Sequence, residues 1–359
     1  MRFRLSWRSA MMTFHVLGRP AVDCLDFAQC PILTSEAVWI DLFEPTKEEE
    51  ETIEAALGIN VPTREHMQEI ESSSRLRREN GVLFMTAQVL SQSYTAAPAS
   101  TAITFILDAK QRLVTVRYAE PVPFRTVRNY RDAETGKLGS GQAVLEALID
   151  AIVDRLADIL ESVGIKLDEI SSELFGTKPP IATALSGVRS PANGSAELTT
   201  RKASKGPNYR DVLVRIGRCN DLISKARESA VGLGRVISFL QEDRKKAAVA
   251  GAKELGSHLK TVGADLGSLG DHTSYLSSKA NFLLDTTLGL INIEQNGIIK
   301  IFSVAAVVLL PPTLVASVYG MNFEVMPDLK WFFGYPFALA LMAFSAIVPY
   351  LLFKKKGWL

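Results

Sequence analysis

Apolar residues along this chain keep one spacing for a stretch and then change to another. Near the start they come in short runs of strand length. Ala37-Val-Trp-Ile-Asp-Leu-Phe43 is one such run, closed by Glu44-Pro45. Thr46 and Glu49 then make a capping-box pair at the head of a helix, and the acids Glu48 to Glu51 sit at that helix's positive end. That charge run is a capped, solvated helix start and not a metal site. Thr63 opens a second short helix toward Glu71. Val82 to Leu90, Ala102 to Leu107 and Leu113 to Tyr118 predict strands, the last two joined as a hairpin across Asp108-Ala-Lys-Gln111. From Gly141 the spacing becomes three and four, through Val144, Leu148, Ile152, Leu156, Ile159, Val163, Leu167 and Ile170. This predicts a long amphipathic helix that packs on other helices. Residues 176–208, with Pro179-Pro180, Pro191-Ala-Asn-Gly194 and few large apolar side chains, predict a flexible linker or surface insertion. Helical spacing returns from Tyr209 to about Ala250 and again from Lys253, where Gly263, Gly267 and Gly270 predict a bend because each costs about 1 kcal/mol relative to Ala.

The pattern changes once more at the end. Ile301 to Tyr319 and Trp331 to Phe353 contain no charge and are 19 and 23 residues long, enough to cross about 30 Å of hydrocarbon as helices. Lys300 precedes the first and Lys354, Lys355 and Lys356 follow the second, so both termini are expected on the cytoplasmic side. Trp331, Tyr335, Tyr319, Tyr350 and Trp358 lie near the ends, where an aromatic belt would sit. By hydropathy alone such a hairpin could be a membrane anchor. No turn separates the helix from Lys253 from the first span, so one helix can carry force between the two compartments.

Composition narrows the rest. The formal charge of +1 and 22% charged residues over 359 positions lack the basic excess of a nucleic-acid binder. Cys24, Cys30 and Cys219 are odd in number and scattered, which suggests neither a disulfide framework nor a metal site. His15, His66, His258 and His272 are dispersed as well, so the chain carries no pairing expected of an enzyme; His272 beside Asp271 is the one to test. No Gly-x-x-x-x-Gly-Lys-[Ser/Thr] loop is found, so nothing supports nucleotide binding. Residues 1–34, with Arg2, Arg4 and Arg8 before a weakly apolar stretch, are expected to be an unstructured extension, with Met11 or Met12 as a possible true start. The expected organisation is this extension, an α/β domain at 35–140, a long-helix region at 141–297 holding the 176–208 insertion, spans at 298–320 and 331–353 joined by a loop at 320–330, and a basic tail at 354–359.

The first span carries more than an anchor needs. Asn296, Ile299, Phe302, Ala306, Leu310, Thr313 and Ser317 follow one another at three or four residues and lead to Asn322. Intramembrane Ser and Thr can also serve as contacts between helices. Pro311-Pro312 removes the amide donors for the carbonyls of Val307 and Val308, which is tolerated where protein or water satisfies them, as beside a pore. Two spans cannot enclose a pore, but a symmetric ring of copies can. Such a ring would repeat Asn322 at its outer mouth and Glu324 and Asp328 around the rim. Amide carbonyls can accept hydrogen bonds from the first-shell waters of a hydrated Mg2+, which sheds them reluctantly. Ile299, Phe302 and Leu310 would form apolar constrictions.

Tyr319-Gly320-Met321-Asn322-Phe323, with Met326-Pro327-Asp328-Leu329-Lys330-Trp331 and Gly334-Tyr335-Pro336, resembles the signature of the CorA family of magnesium transporters. Ile291-Asn-Ile-Glu-Gln-Asn296 and Leu310-Pro-Pro-Thr313 are similar to its bacterial branch, and Val38-Trp-Ile-Asp-Leu-Phe-Glu-Pro45 extends the likeness toward the N-terminus. The resemblance implies an α+β cytoplasmic domain, long stalk helices and a C-terminal two-helix transmembrane hairpin, assembled as a homopentamer in the inner membrane. It implies electrodiffusive uptake of Mg2+, with Co2+ and Ni2+ also admitted, and no organic cofactor. Gly320, Met321 and Asn322 match the selectivity motif, and Asn296, Phe302, Leu310 and Thr313 fall where the family lines its pore. Closure by regulatory Mg2+ is also implied; Asp265 and Asp271 lie in the corresponding stretch, where Thr261, Ala264 and the glycines depart from the family pattern. Proton-coupled transport of zinc or another divalent metal on the same fold, and a non-conducting membrane-anchored sensor, are the other readings of the sequence.

Overall fold

The computed structural model describes residues 12–23, 34–69, 71, 75–91, 98–133, 138–176, 208–247, 252–321 and 331–357. The chain forms two compact units, Met1–Leu283 and Leu284–Leu359.

A seven-stranded sheet organises the first unit, in the order β2-β1-β3-β7-β6-β5-β4. Its strands are β1 (Met12–Val16), β2 (Val22–Asp23), β3 (Ala37–Phe43), β4 (Leu76–Glu79), β5 (Val82–Ser91), β6 (Ala99–Leu107) and β7 (Leu113–Arg117). Among the described residues only the β3–β7 pair is parallel; β5, β6 and β7 form an antiparallel meander whose second turn is the expected hairpin. Asp108 builds that turn, its carboxylate accepting the N–H groups of Lys110 and Arg112 at 2.9 and 2.8 Å.

Side chains alternate between the two faces of the sheet. One face, with Phe14, Ile40, Leu42, Phe84, Ile106, Val114 and Val116, is closed by Ile53 of α1 (Lys47–Leu57) and Met67 of α2 (Arg64–Gln68). The capping box of α1 is present as expected, Thr46 N–H donating to Glu49 at 2.7 Å. The second face meets α3 (Val122–Ala133), α4 (Gly141–Phe175) and α5 (Tyr209–Ala247). Two contacts show how closely. A Cβ on Gly141 would lie 2.2 Å from the backbone nitrogen of Leu113, so only glycine lets α4 start against the hairpin. On α5, the Ser229 hydroxyl donates to the Gln88 carbonyl at 2.7 Å and accepts from the Leu90 N–H at 3.0 Å.

Beneath α3 the core holds a charged pair. Arg117 donates to both oxygens of Asp41, from Nε at 3.0 Å and from Nη2 at 2.8 Å, and both side chains are buried. Thr115 donates to the same carboxylate and accepts from the Trp39 indole. Removing one partner would leave an uncompensated charge in the interior.

Helix α4 then packs with α5 and with the first part of α6 (Ala252–Tyr319). Apolar rows meet at Leu259, Val262, Leu266 and Leu276, all buried, and ion pairs Lys279–Asp168 and Arg215–Glu173 lie outside them.

Three expectations change. Residues 12–16 are not part of an extension: Met12, Phe14 and Val16 are buried and pair with β3, because their period of two gives the sheet an apolar face. The division at 140/141 is not a unit boundary, since α4 and α5 cover the sheet. Helix α6 also runs continuously through Gly263, Gly267 and Gly270; the flanking buried leucines hold it helical at positions whose intrinsic cost is small. The second apolar helix begins at Gly334, not at Trp331. Residues 177–207, nearly all of the expected insertion, lie outside the described residues, as do Cys24 and Cys30.

Candidate functional site

The second unit contains the end of α6 and helix α7 (Gly334–Lys355), both long and apolar enough to cross a membrane and only 6% buried over their most apolar windows. At 3.6 residues per turn, Asn296, Ile299, Phe302, Ala306, Leu310, Thr313 and Ser317 share an arc of about 120° on α6. All seven are exposed, Phe302 at 71% and Leu310 at 65%. The arc runs from amide through apolar side chains to hydroxyls, on one exposed helix face.

Local structure sets what this face offers. The Thr313 hydroxyl donates to the Leu309 carbonyl at 2.7 Å, so its oxygen presents lone pairs only. Such an oxygen can accept a hydrogen bond from a water. Pro311 and Pro312 sit inside the helix without breaking it. Gly320 ends it, with its N–H on the Ala316 carbonyl at 2.9 Å, and the chain turns as Met321 N–H reaches Val318 at 3.3 Å. A Cβ at Gly320 would stand 3.1 Å from the Ala316 oxygen, tighter than ordinary contacts. Asn322, Glu324 and Asp328 lie outside the described residues. Just beyond, Trp331 packs on Phe333 and Phe337, with ring centroids 6.3 and 5.9 Å apart.

Continuing the same arc toward the N-terminus of this unit brings in Asn292 and Asp285, both exposed. Asp285 was not singled out by sequence reasoning. Its signal was the same three-or-four spacing, 285, 288, 292, 296, followed past the end of the apolar run.

The two acids expected to regulate are not brought together within one chain. Asp265 and Asp271 are both exposed on α6 but face directions about 120° apart. Among the described residues no group of three or more His, Cys, Asp or Glu is placed to hold a metal. His272 stacks on Tyr275 at 6.0 Å, and His258 bonds Asp150 at 2.8 Å. Burial pushes the Cys219 thiol up from its ordinary value, which agrees with a packing role.

The family model described as CorA-like Mg2+ transporter protein matches residues 34–193 and 197–355. The magnesium transport protein CorA of Salmonella typhimurium is 34% identical over 325 residues, covering 90% of this chain and 92% of that protein. Its counterpart from Escherichia coli K12 is 33% identical over 323 residues, with the same coverage. Among solved structures, the complete CorA magnesium transporter of Methanocaldococcus jannaschii covers 98% of this chain and 100% of its own, with a TM-score of 0.67 at 16% identity. At that identity the likeness shows the fold. The sequence relatives and the family match carry the assignment further: the chain belongs to the CorA-like Mg2+ transporter family.

Proposed function

We propose that this protein carries Mg2+ across the cell inner membrane through a pore lined by α6 and repeated around a ring of five copies. The observation that carries this reading is the exposed arc from Asn296 to Ser317, ending at Gly320-Met321-Asn322, in a chain whose relatives are magnesium transport proteins. A hydrated dication entering from outside meets the acidic rim of Glu324 and Asp328, then the Asn322 amides, which accept hydrogen bonds from its waters without stripping them. Ser317 and Thr313 supply further oxygen acceptors. Leu310, Phe302 and Ile299 are the apolar constrictions, where closing the ring by a small amount expels water and stops the ion. Entry down a negative-inside potential yields about 4.6 kcal/mol per 100 mV for a double charge, so the potential alone sustains uptake. Co2+ and Ni2+, with similar hydration, follow the same route. Mg2+ bound by acids of α6 on the cytoplasmic side, Asp265, Asp271 and Asp285 among them, closes the pore when the cell is replete.

The face can be tested residue by residue. Thr313→Cys and Ser317→Cys, treated with a water-soluble thiol reagent, lose flux on modification, whereas Val315→Cys, about 170° from the centre of the arc, does not. Equal loss at all three positions would contradict the assignment of this face to the pore.

A further inference from the structure

The sheet face under α1 and α2 changes character partway along. On β5 the inward positions read Val82, Phe84, Thr86, Gln88, and on β6 they read Ile106, Thr104, Ala102, Ser100. Thr86 and Thr104 are buried and bond each other at 2.8 Å, closing the apolar core with a polar pair. Beyond that pair lies a cleft of about 340 Å³. Its polar lining comes from Arg64 and Gln68 on α2, Gln88 on β5, Ser100 and Thr101 on β6, and Tyr118 just after β7.

The chemistry of this lining is one-sided. Arg64 lies over the Tyr118 ring, 5.1 Å from its centroid, and among the described residues no carboxylate takes its N–H groups. Gln68 stands one turn after Arg64 on the same face of α2. The Gln88 amide oxygen accepts from Ser100 at 3.5 Å, which leaves its NH2 group as a donor. Among the described residues no acid lines the cleft. Outside the lining, Glu65 acts electrostatically on Arg64 and Tyr118, and Glu50 accepts the Tyr118 hydroxyl at 3.3 Å. The pKa of Glu50 is raised, chiefly by burial and further by Glu54, Glu65 and Glu49. One guanidinium and two amides therefore converge from a helix and a sheet on a space of roughly ten water volumes.

We propose that this cleft binds a small oxyanion, a phosphate or carboxylate group, through the Arg64 guanidinium and the side-chain amides of Gln68 and Gln88. A guanidinium fork matches two oxygens of such a group, and charge-assisted hydrogen bonds of this kind are the strong ones. Met67 and Ala102, which also border the space, suit a short apolar remainder of the ligand. The site belongs to the first unit, whereas the candidate pore face belongs to the second, and it does not depend on the transport reading.

The test is equilibrium dialysis of the full-length protein in detergent against radiolabelled inorganic phosphate and, separately, radiolabelled succinate, in buffer free of Mg2+. Saturable binding of at least one anion at one site per chain is expected, weakened about tenfold or more by Arg64→Gln. Phosphate alone would identify a phosphate site and succinate alone a carboxylate site. Arg64 is exposed, so Arg64→Gln should unfold at the parent temperature; if it does not fold, Gln68→Ala, also exposed, replaces it with the same expected loss. No saturable binding of either anion up to about 10 mM, or binding unchanged in the variant, would overturn the proposal.

Discussion

Tyr118 shows how a single side chain reports on its surroundings. Burial and the neighbouring Glu50 carboxylate push its phenol up to about 12. In the unfolded chain a tyrosine ionises near pH 10, so between about pH 10 and about 12 the unfolded state releases a proton that the folded state keeps. Stability contributed by the neutral phenol is complete below pH 10 and falls as pH rises through that window. Urea unfolding of Tyr118→Phe should therefore depend less on pH between about 10 and 12 than that of the parent protein; identical slopes would contradict the placement of Tyr118 beside Glu50. At this scale the sequence was only partly legible. The residues of the exposed α6 arc share a face by spacing alone, because a helix repeats every 3.6 residues wherever it lies. Asp285 lies beyond the apolar run that carries the membrane signal, and the cleft beside Tyr118 joins Arg64, Gln88 and Ser100, which are far apart in sequence.

Elements were most legible where the signal is local. The box at Thr46 and Glu49, the Asp108 hairpin and the long amphipathic repeat of α4 each arise from residues within a few positions of one another, and each formed as expected. β1 and β4 are five and four residues long and take their stability from a neighbour in the sheet, so their own sequence says little. Helix α3 follows Pro121, carries Pro123 in its first turn and is mostly polar, yet Phe124 anchors it in the core against Phe105, at 6.4 Å, and Trp39, at 6.3 Å. The start of α4 is the most constrained junction. Gly141→Ala would push a methyl group into the backbone of Arg112 and Leu113, so the hairpin or the helix must shift. A loss of about 3 kcal/mol or more is expected in equilibrium unfolding of the variant, and a change under about 0.5 kcal/mol would show that the helix starts elsewhere.

Across the whole molecule, the two units divide the work proposed for them. The first buries an apolar core on both faces of a sheet and offers exposed polar sites, including the acids Asp265 and Asp271. The second has little interior of its own, with Gly334, Ala338 and Val304 among the few buried positions of its two apolar helices. A helix pair so exposed, with its backbone bonded internally except where Pro311, Pro312 and Pro349 remove donors, suits hydrocarbon on one side. The arc from Asn296 to Ser317 mixes amide, hydroxyl and apolar groups, which suits a water-filled path shared with other copies better than lipid. The measurement that tests this most directly is Mg2+ influx into liposomes holding the purified protein and an internal Mg2+-sensitive dye, with internal Mg2+ set low or high and Asn322→Ala assembled alongside. The account predicts influx at low internal Mg2+ that stops at high internal Mg2+ and is abolished by Asn322→Ala. Undiminished influx through an assembled Asn322→Ala protein, or no influx through the parent under either condition, would contradict it.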